Sequence, residues 1–390
     1  MNILTQCVKE CFKVLKPHPQ PMLRFAVLKG IQGFGDRLQC LLQAIRYAQH
    51  TERILVVDWR DTDWTHDHQQ FGFAEFFRVT GVHCFGVEEF CHYVQAHGKE
   101  LRVMPQTWTH KLTDWKFQNW VYSEIFSHPP DDPEDTFNQC ISQIIAYKRP
   151  DFEADVVVLP GVYRRVCHYG DMRYLKLSRW AEARIRYLLE PHDALRLRGY
   201  DAIHLRGGSK SWAGGHVPLK GLAKQIEDTW PDEEGFFERM HTAYSNLIAS
   251  HPPRPLLLVS DSKQLMDGWQ QRFGECLTVP TFNSVLEESG THKLTPRQLQ
   301  EHKVNKSELN LELMRDFVLL TNARSITWDG ISLFSKAAVG AKQSGVSLMW
   351  LPQVDSASTM SDARAAERQS GNDPGDDSGD NEEPKAAEPA

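Results

Sequence analysis

The 390-residue chain has no CxxC pair, no GxSxG turn, no basic excess and no long apolar run. Each absence removes a class of function. Its eight cysteines, at 7, 11, 40, 84, 91, 140, 167 and 276, lack zinc-ribbon spacing. They read as reduced thiols in a reducing compartment. Without GxSxG there is no nucleophile elbow of the serine-hydrolase kind. Apolar runs as short as Leu256–Val259 fall far below the ~20 residues that cross a bilayer, so no transmembrane segment is expected. The opening MNILTQCVKECFKVLKPHP places Lys9 inside its apolar stretch and does not read as a signal peptide. Cytoplasmic residence follows as an expectation. Residues 7–16 could form a short helix with Val8, Cys11, Phe12 and Leu15 opposite Lys9, Lys13 and Lys16. It either packs on its own domain or makes peripheral contact with the inner face of the membrane.

Charge is unevenly placed. The formal net charge is −7, from 44 Lys+Arg against 51 Asp+Glu. Ten of those acids but only three of the bases lie in residues 355–390, which leaves 41 of each sign in residues 1–354. A neutral body argues against a nonspecific nucleic-acid binder, so no nucleic-acid partner is expected. The tail, 355–390, has no aromatic residue and is rich in Asp, Glu, Ser, Gly, Pro and Ala. Such a segment cannot bury enough apolar surface to fold and reads as a disordered acidic appendage.

The remaining residues alternate strand and helix patterns, the mark of an α/β fold. Strands are expected at 23–29, 53–58 and 155–160, with a helix from about 36 to 50 carrying Leu38, Leu41, Leu42, Ile45 and Ala48 on one face. The tryptophan-rich stretch 105–150 is irregular. Further strands are expected at 200–206, 255–260, 276–280, 324–328 and 346–351, with helices near 176–190, 218–250, 261–273, 308–322 and 331–343. The expected architecture is two Rossmann-like domains facing across a cleft, 1–195 and 196–354.

In a parallel α/β sheet, ligands gather beyond the carboxyl ends of the strands. Three second-half strands end in suitable groups. The first runs into His204, Arg206, Gly207, Gly208 and Lys210, the second into Asp261 and Ser262 at a helix start, and the third into Ser332, also at a helix start. A helix N-terminus suits a phosphate. Arg206 adds a planar fork matched to phosphate oxygens. Gly207 and Gly208 allow close backbone approach, and Asp261 can accept from a base or a ribose. Together they read as a nucleotide-diphosphate pocket. Taken singly, Arg206 is as easily a surface ion pair, Asp261 and Ser332 helix caps, and His204 a hydrogen-bonded core histidine.

Gly30, Gly33 and Gly35 follow a strand and open a helix, but GxxGxG is not the dinucleotide spacing and no Walker lysine follows. Asp61 and Asp63 form a DxD, readable as a metal site or, more simply, as a solvated loop. His66 and His68 are too isolated to indicate a metal.

GFGDRLQCLLQAIRYAQHTERILVVDWRDT (33–62) resembles the opening of the bacterial nodulation fucosyltransferase family, which is related to the animal α-1,6-fucosyltransferases. AIHLRGGSK (202–210) is similar to that family's first motif, H-x-R-R/H-x-x-K. PLLLVSDSKQLMDGWQQRFGECLTVP (255–280) and LELMRDFVLLTNARSITWDGISLFSKAA (311–338) are similar to the second and third. The likeness runs in order from about 24 to 340 and is loose over 65–195.

The resemblance implies a GT-B enzyme that transfers L-fucose from GDP-fucose to a glycan hydroxyl, with inversion and no metal or other cofactor. The acceptor would be an oligosaccharide or glycolipid. It places Arg206 on the β-phosphate, His204 at the guanosine end, Asp261 and Ser262 on the nucleoside segment, and Ser332 near the phosphates. Gly33 and Gly35 join the donor-binding set. Lys210 matches the lysine four residues past the arginine. Two departures stand out. Gly207 replaces the second basic residue, and the glutamate expected beyond the lysine is missing, which leaves His216 as the candidate base. These departures keep two alternatives open, another nucleotide sugar on the same fold or a catalytically degenerate nucleotide- or glycan-binding homologue.

Overall fold

A computed structural model describes residues 22–30, 33–65, 72–104, 106–114, 151–159, 168–190, 199–206, 233–249, 254–274, 276–278, 294–328 and 332–351. The chain begins with β1 (Phe25–Lys29), α1 (Phe34–Thr51) and β2 (Ile54–Asp58). Next come a short helix α2 (Gly72–Phe76), β3 (Phe77–Val79), β4 (Cys84–Phe85), α3 (Val87–His97) and β5 (Val103–Met104). β6 (Val156–Leu159), a 3-10 turn (Tyr169–Tyr174), β7 (Leu175–Leu177) and α4 (Arg179–Leu189) complete the first half. The second half contains β8 (Asp201–Leu205), α5 (Glu233–Ile248), β9 (Leu256–Ser260), α6 (Lys263–Phe273) and β10 (Leu277–Thr278). It closes with α7 (Pro296–Glu301), α8 (Lys306–Asn322), β11 (Ile326–Trp328) and α9 (Leu333–Gln343).

Helix starts follow local chemistry. Ser178, Ser262, Thr295, Asn305 and Ser332 each accept a hydrogen bond from a backbone N–H of the first turn, satisfying a donor that has no partner inside the helix. Thr295 and Gln298 form a capping box, with Pro296 pre-set for the first turn.

The first sheet has the order β4-β2-β1-β6-β5 and the second β10-β9-β8-β11, and every pairing in both is parallel. β3 and β7 form a separate antiparallel pair. Strand side chains alternate between faces, as a period of two requires. In the first sheet Phe25, Val27, Ile54, Val56, Val156 and Val158 pack outward with Phe90. In the second, Ile203, Leu205 and Leu258 pack outward against Phe237 and Met240 of α5 and Leu265 and Trp269 of α6. Alternate residues turn inward, Ala26, Leu28, Leu55 and Val57 from one sheet and Ala202, Leu257 and Val259 from the other. They share one apolar cluster with α1, α4, α8 and α9. The halves are therefore joined through a helical layer between the sheets.

One expected strand is not formed. Residues 346–351 have no strand pairing. Asn322, at the end of α8, donates Nδ2 to the Met349 carbonyl at 2.9 Å and accepts from the Leu351 N–H at 2.9 Å. Its side-chain amide supplies the bonds that a neighbouring strand would have made. The expected N-terminal helix 7–16, most of 105–150, the residues 218–232 and the acidic tail lie outside the described residues, as does the expected boundary near 195.

Candidate active site

β8 sits at the point where strand order reverses in the second sheet. β9 and β10 run off one side of it and β11 lies on the other. In doubly wound sheets this switch point opens a crevice beyond the carboxyl ends of the strands. Arg206 follows β8, Asp261 follows β9, and Ser332 caps α9 shortly after β11. All three strands are parallel, so the sequence-predicted groups do share one sheet edge.

A buried contact fixes this edge to α9. His204, the fourth residue of β8, lies with Nδ1 2.6 Å from Ser335 Oγ. Both side chains are buried, and the Phe334 ring tilts over the imidazole at 5.4 Å between centroids. Ser332 Oγ in turn accepts from the Ser335 N–H at 3.3 Å. The contact ties the end of β8, two residues short of Arg206, to the first turn of α9, whose N-terminus carries partial positive charge.

Arg206 forms an ion pair with Asp261, both side chains partly exposed. Asp261 bonds Nη1 and so orients the guanidinium, which has five donors in all. Ser262, rather than Asp261, caps α6, accepting from the Leu265 N–H at 3.3 Å. Asp316 of α8 is buried and accepts from Arg315 Nη2 at 2.8 Å. Burial pushes its carboxyl above the usual range, Arg315 opposes that shift, and Asp261 adds to it.

Gly33 and Gly35 open α1. Gly33 stands at the N-cap in extended conformation. Gly35 is a packing glycine, since a Cβ there would lie 2.5 Å from the Leu333 carbonyl carbon and 2.6 Å from the Phe334 nitrogen. The N-terminal turns of α1 and α9 meet at that point. Gly207, Gly208, Lys210 and His216 lie outside the described residues.

The Asp61 reading needs correction, because Asp61 is not in a solvated loop. It is buried, accepting from Arg37 Nη1 at 2.9 Å and Nη2 at 2.5 Å. The Arg37 guanidinium also lies over the rings of Trp59 and Trp64 at 5.4 and 5.3 Å. The same turn docks on α8, with Asn310 Nδ2 donating to the Trp64 carbonyl at 2.9 Å and Lys306 Nζ reaching the Asp63 carbonyl at 3.4 Å. Among the described residues, no group of three or more His, Cys, Asp or Glu is placed to hold a metal ion.

Sequence reasoning missed Ser335. Its signal was two polar residues on otherwise apolar surfaces, a serine on the alanine-rich inner face of α9 and a histidine in a buried strand. Each needs a partner, and each is the other's.

No protein-family model matches the chain. It is 24% identical over 268 residues to Nodulation protein Z of Sinorhizobium fredii (strain NBRC 101917 / NGR234), covering 66% of this chain and 74% of that protein. Among solved structures it is similar to the NodZ α-1,6-fucosyltransferase soaked with GDP-fucose, with a TM-score of 0.54 and 20% identity over 82% of this chain and 92% of that one. Fucosyltransferase NodZ from Bradyrhizobium matches at a TM-score of 0.54 and 21% identity, over 82% and 93% of the two chains. The fold class is the expected one, two Rossmann-like α/β halves of GT-B type.

Proposed function

We propose that this chain is a fucosyltransferase that moves L-fucose from GDP-fucose to a hydroxyl of a glycan acceptor, with inversion and without a metal ion. One observation carries the reading. The His204–Ser335 contact ties the end of β8, which leads into Arg206, to the N-terminal turn of α9 at the switch point of the second sheet. The likeness to Nodulation protein Z and to a NodZ structure soaked with GDP-fucose supports the choice of donor. Residues 1–195 would form the acceptor side and 196–354 the donor side.

The chemistry follows from charge. Breaking the sugar–phosphate bond builds negative charge on the leaving diphosphate and oxocarbenium character on the sugar. Arg206, oriented by Asp261, and the N-terminus of α9 stabilise that negative charge. Losing one such preorganised donor costs roughly 3–4 kcal/mol of barrier. His204, Asp261 and Ser262 line the nucleoside end, Gly207 and Gly208 admit the phosphates, and Gly33 faces them from α1. A base takes the acceptor proton as its oxygen attacks opposite the departing diphosphate, with Lys210 and His216 as candidates for the proton and charge work. Because guanidinium and helix N-terminus supply the positive charge, no metal is required.

A thermal-shift panel of GDP-, UDP-, ADP- and CMP-sugars tests the donor. GDP-fucose and GDP should stabilise the protein, and stabilisation only by a UDP-sugar overturns the reading. EDTA should leave turnover unchanged.

A further inference from the structure

The interface between the halves leaves an unfilled space one turn along α9 from Ser332. The 3-10 turn Tyr169–Tyr174 of the first half leans on α9, with the Tyr169 ring directly over Gly340, where no side chain could fit. Between that turn, α1, the end of β11 and α9 lies a cavity of about 730 Å³. Arg46, Asp171, Arg173 and His168 face it from the first half, and Trp328 and Lys336 from the second.

Its charge is unbalanced. Asp171 is buried and paired with Arg46 Nε at 2.5 Å. Arg173 donates to the Tyr174 hydroxyl at 2.9 Å and lies 4.8 Å from the centroid of that ring, contacts that bring no carboxylate to it. Among the described residues, neither Arg173 nor Lys336 has an acid within ion-pair distance. Two cations from opposite halves thus line one space, an arrangement that an anion relieves. The half-buried Trp328 lines the same space and adds an aromatic side chain to it. A space of this size, with one aromatic plane and a few convergent polar groups, suits a small ligand of mixed character.

We propose that this cavity binds a saccharide carrying an acidic group, a carboxylate, sulfate or phosphate ester. The anion lies between Arg173 and Lys336, and a sugar face lies against Trp328. The acidic part of the assignment rests on the two cations, while the saccharide part rests on the glycosyltransferase reading above. Bound there, such a ligand bridges the halves and extends the acceptor side of the protein.

Isothermal titration of the full chain tests it. The probes are a neutral disaccharide, the same disaccharide carrying a carboxylate, sulfate ester or phosphate ester, inorganic sulfate, and GDP in parallel. At least one acidic form should bind, and the neutral parent should bind roughly tenfold more weakly or worse, as loss of a charged hydrogen bond implies. Lys336→Gln and Arg173→Gln, both at exposed positions, should each lose a similar factor while GDP binding is retained. Equal binding of the neutral parent, no binding of any acidic form, or undiminished binding by both variants would overturn the proposal. Sulfate binding as tightly as the best saccharide would also overturn it, leaving an ion site only. Loss of GDP binding alone, with the acidic saccharide still bound, removes the donor reading and leaves this one standing.

Discussion

Ser335 and His204 join the first turn of α9 to the end of β8 through a single buried contact of 2.6 Å. Ser335→Ala leaves the imidazole nitrogen without that partner in a buried setting. The expected cost is about 1–3 kcal/mol of stability, since a buried polar group loses its bond. Urea denaturation checks it. GDP affinity should fall as well, because the same contact ties the strand end that carries Arg206 to the N-terminal turn of α9.

Gly35 is a second joint between the halves. The atoms that an added methyl would meet belong to the backbone of Leu333 and Phe334, which cannot rotate away. Gly35→Ala should therefore destabilise by roughly 1–3 kcal/mol, as overpacking typically does. An unchanged urea midpoint would show that the α1–α9 approach is looser than described.

These joints mark where sequence reading works and where it stops. The alternation of β1, α1 and β2, and the strand ends at Arg206, Asp261 and Ser332, were legible because periodicity and capping are local. Residues 346–351 carry a good strand pattern, yet Asn322 takes their backbone bonds, and a side chain from 24 or more positions earlier leaves no trace in a local window. Asp61 reads as a loop acid until the fold brings Arg37 against it. Nothing near Gly35 in the sequence announces that Leu333 and Phe334 of α9 lie against it. Partners distant in sequence decide all three.

The Arg37–Asp61 pair is buried on both sides. Asp61→Asn leaves a guanidinium without its counter-charge, which should cost about 3–5 kcal/mol. The measurement is again equilibrium unfolding. If Asp61 were a metal ligand instead, the variant would keep its stability and wild-type turnover would fail in EDTA.

Lys306 gives a pH signature. Burial lowers its ammonium to about 8, with Asp63 opposing that shift. Its ordinary value lies higher, so between about 8 and 10.5 the unfolded chain holds a proton that the folded chain has released. Stability from this residue is therefore lowest below pH 8 and rises through that window. The wild-type stability minus that of Lys306→Met should climb from pH 8 to 10, and a flat difference would contradict the burial argument.

Release of GDP from GDP-fucose, followed without acceptor, tests the central claim most directly. The wild-type chain should hydrolyse the donor slowly. Arg206→Ala should do so roughly 10²–10³-fold more slowly, the usual effect of removing one preorganised donor at a developing anion. Its melting temperature should stay near wild type, since Arg206 is partly exposed. Arg206→Lys should also be impaired, because an ammonium keeps the charge but not the fork. Near-normal GDP release by Arg206→Ala would contradict the account.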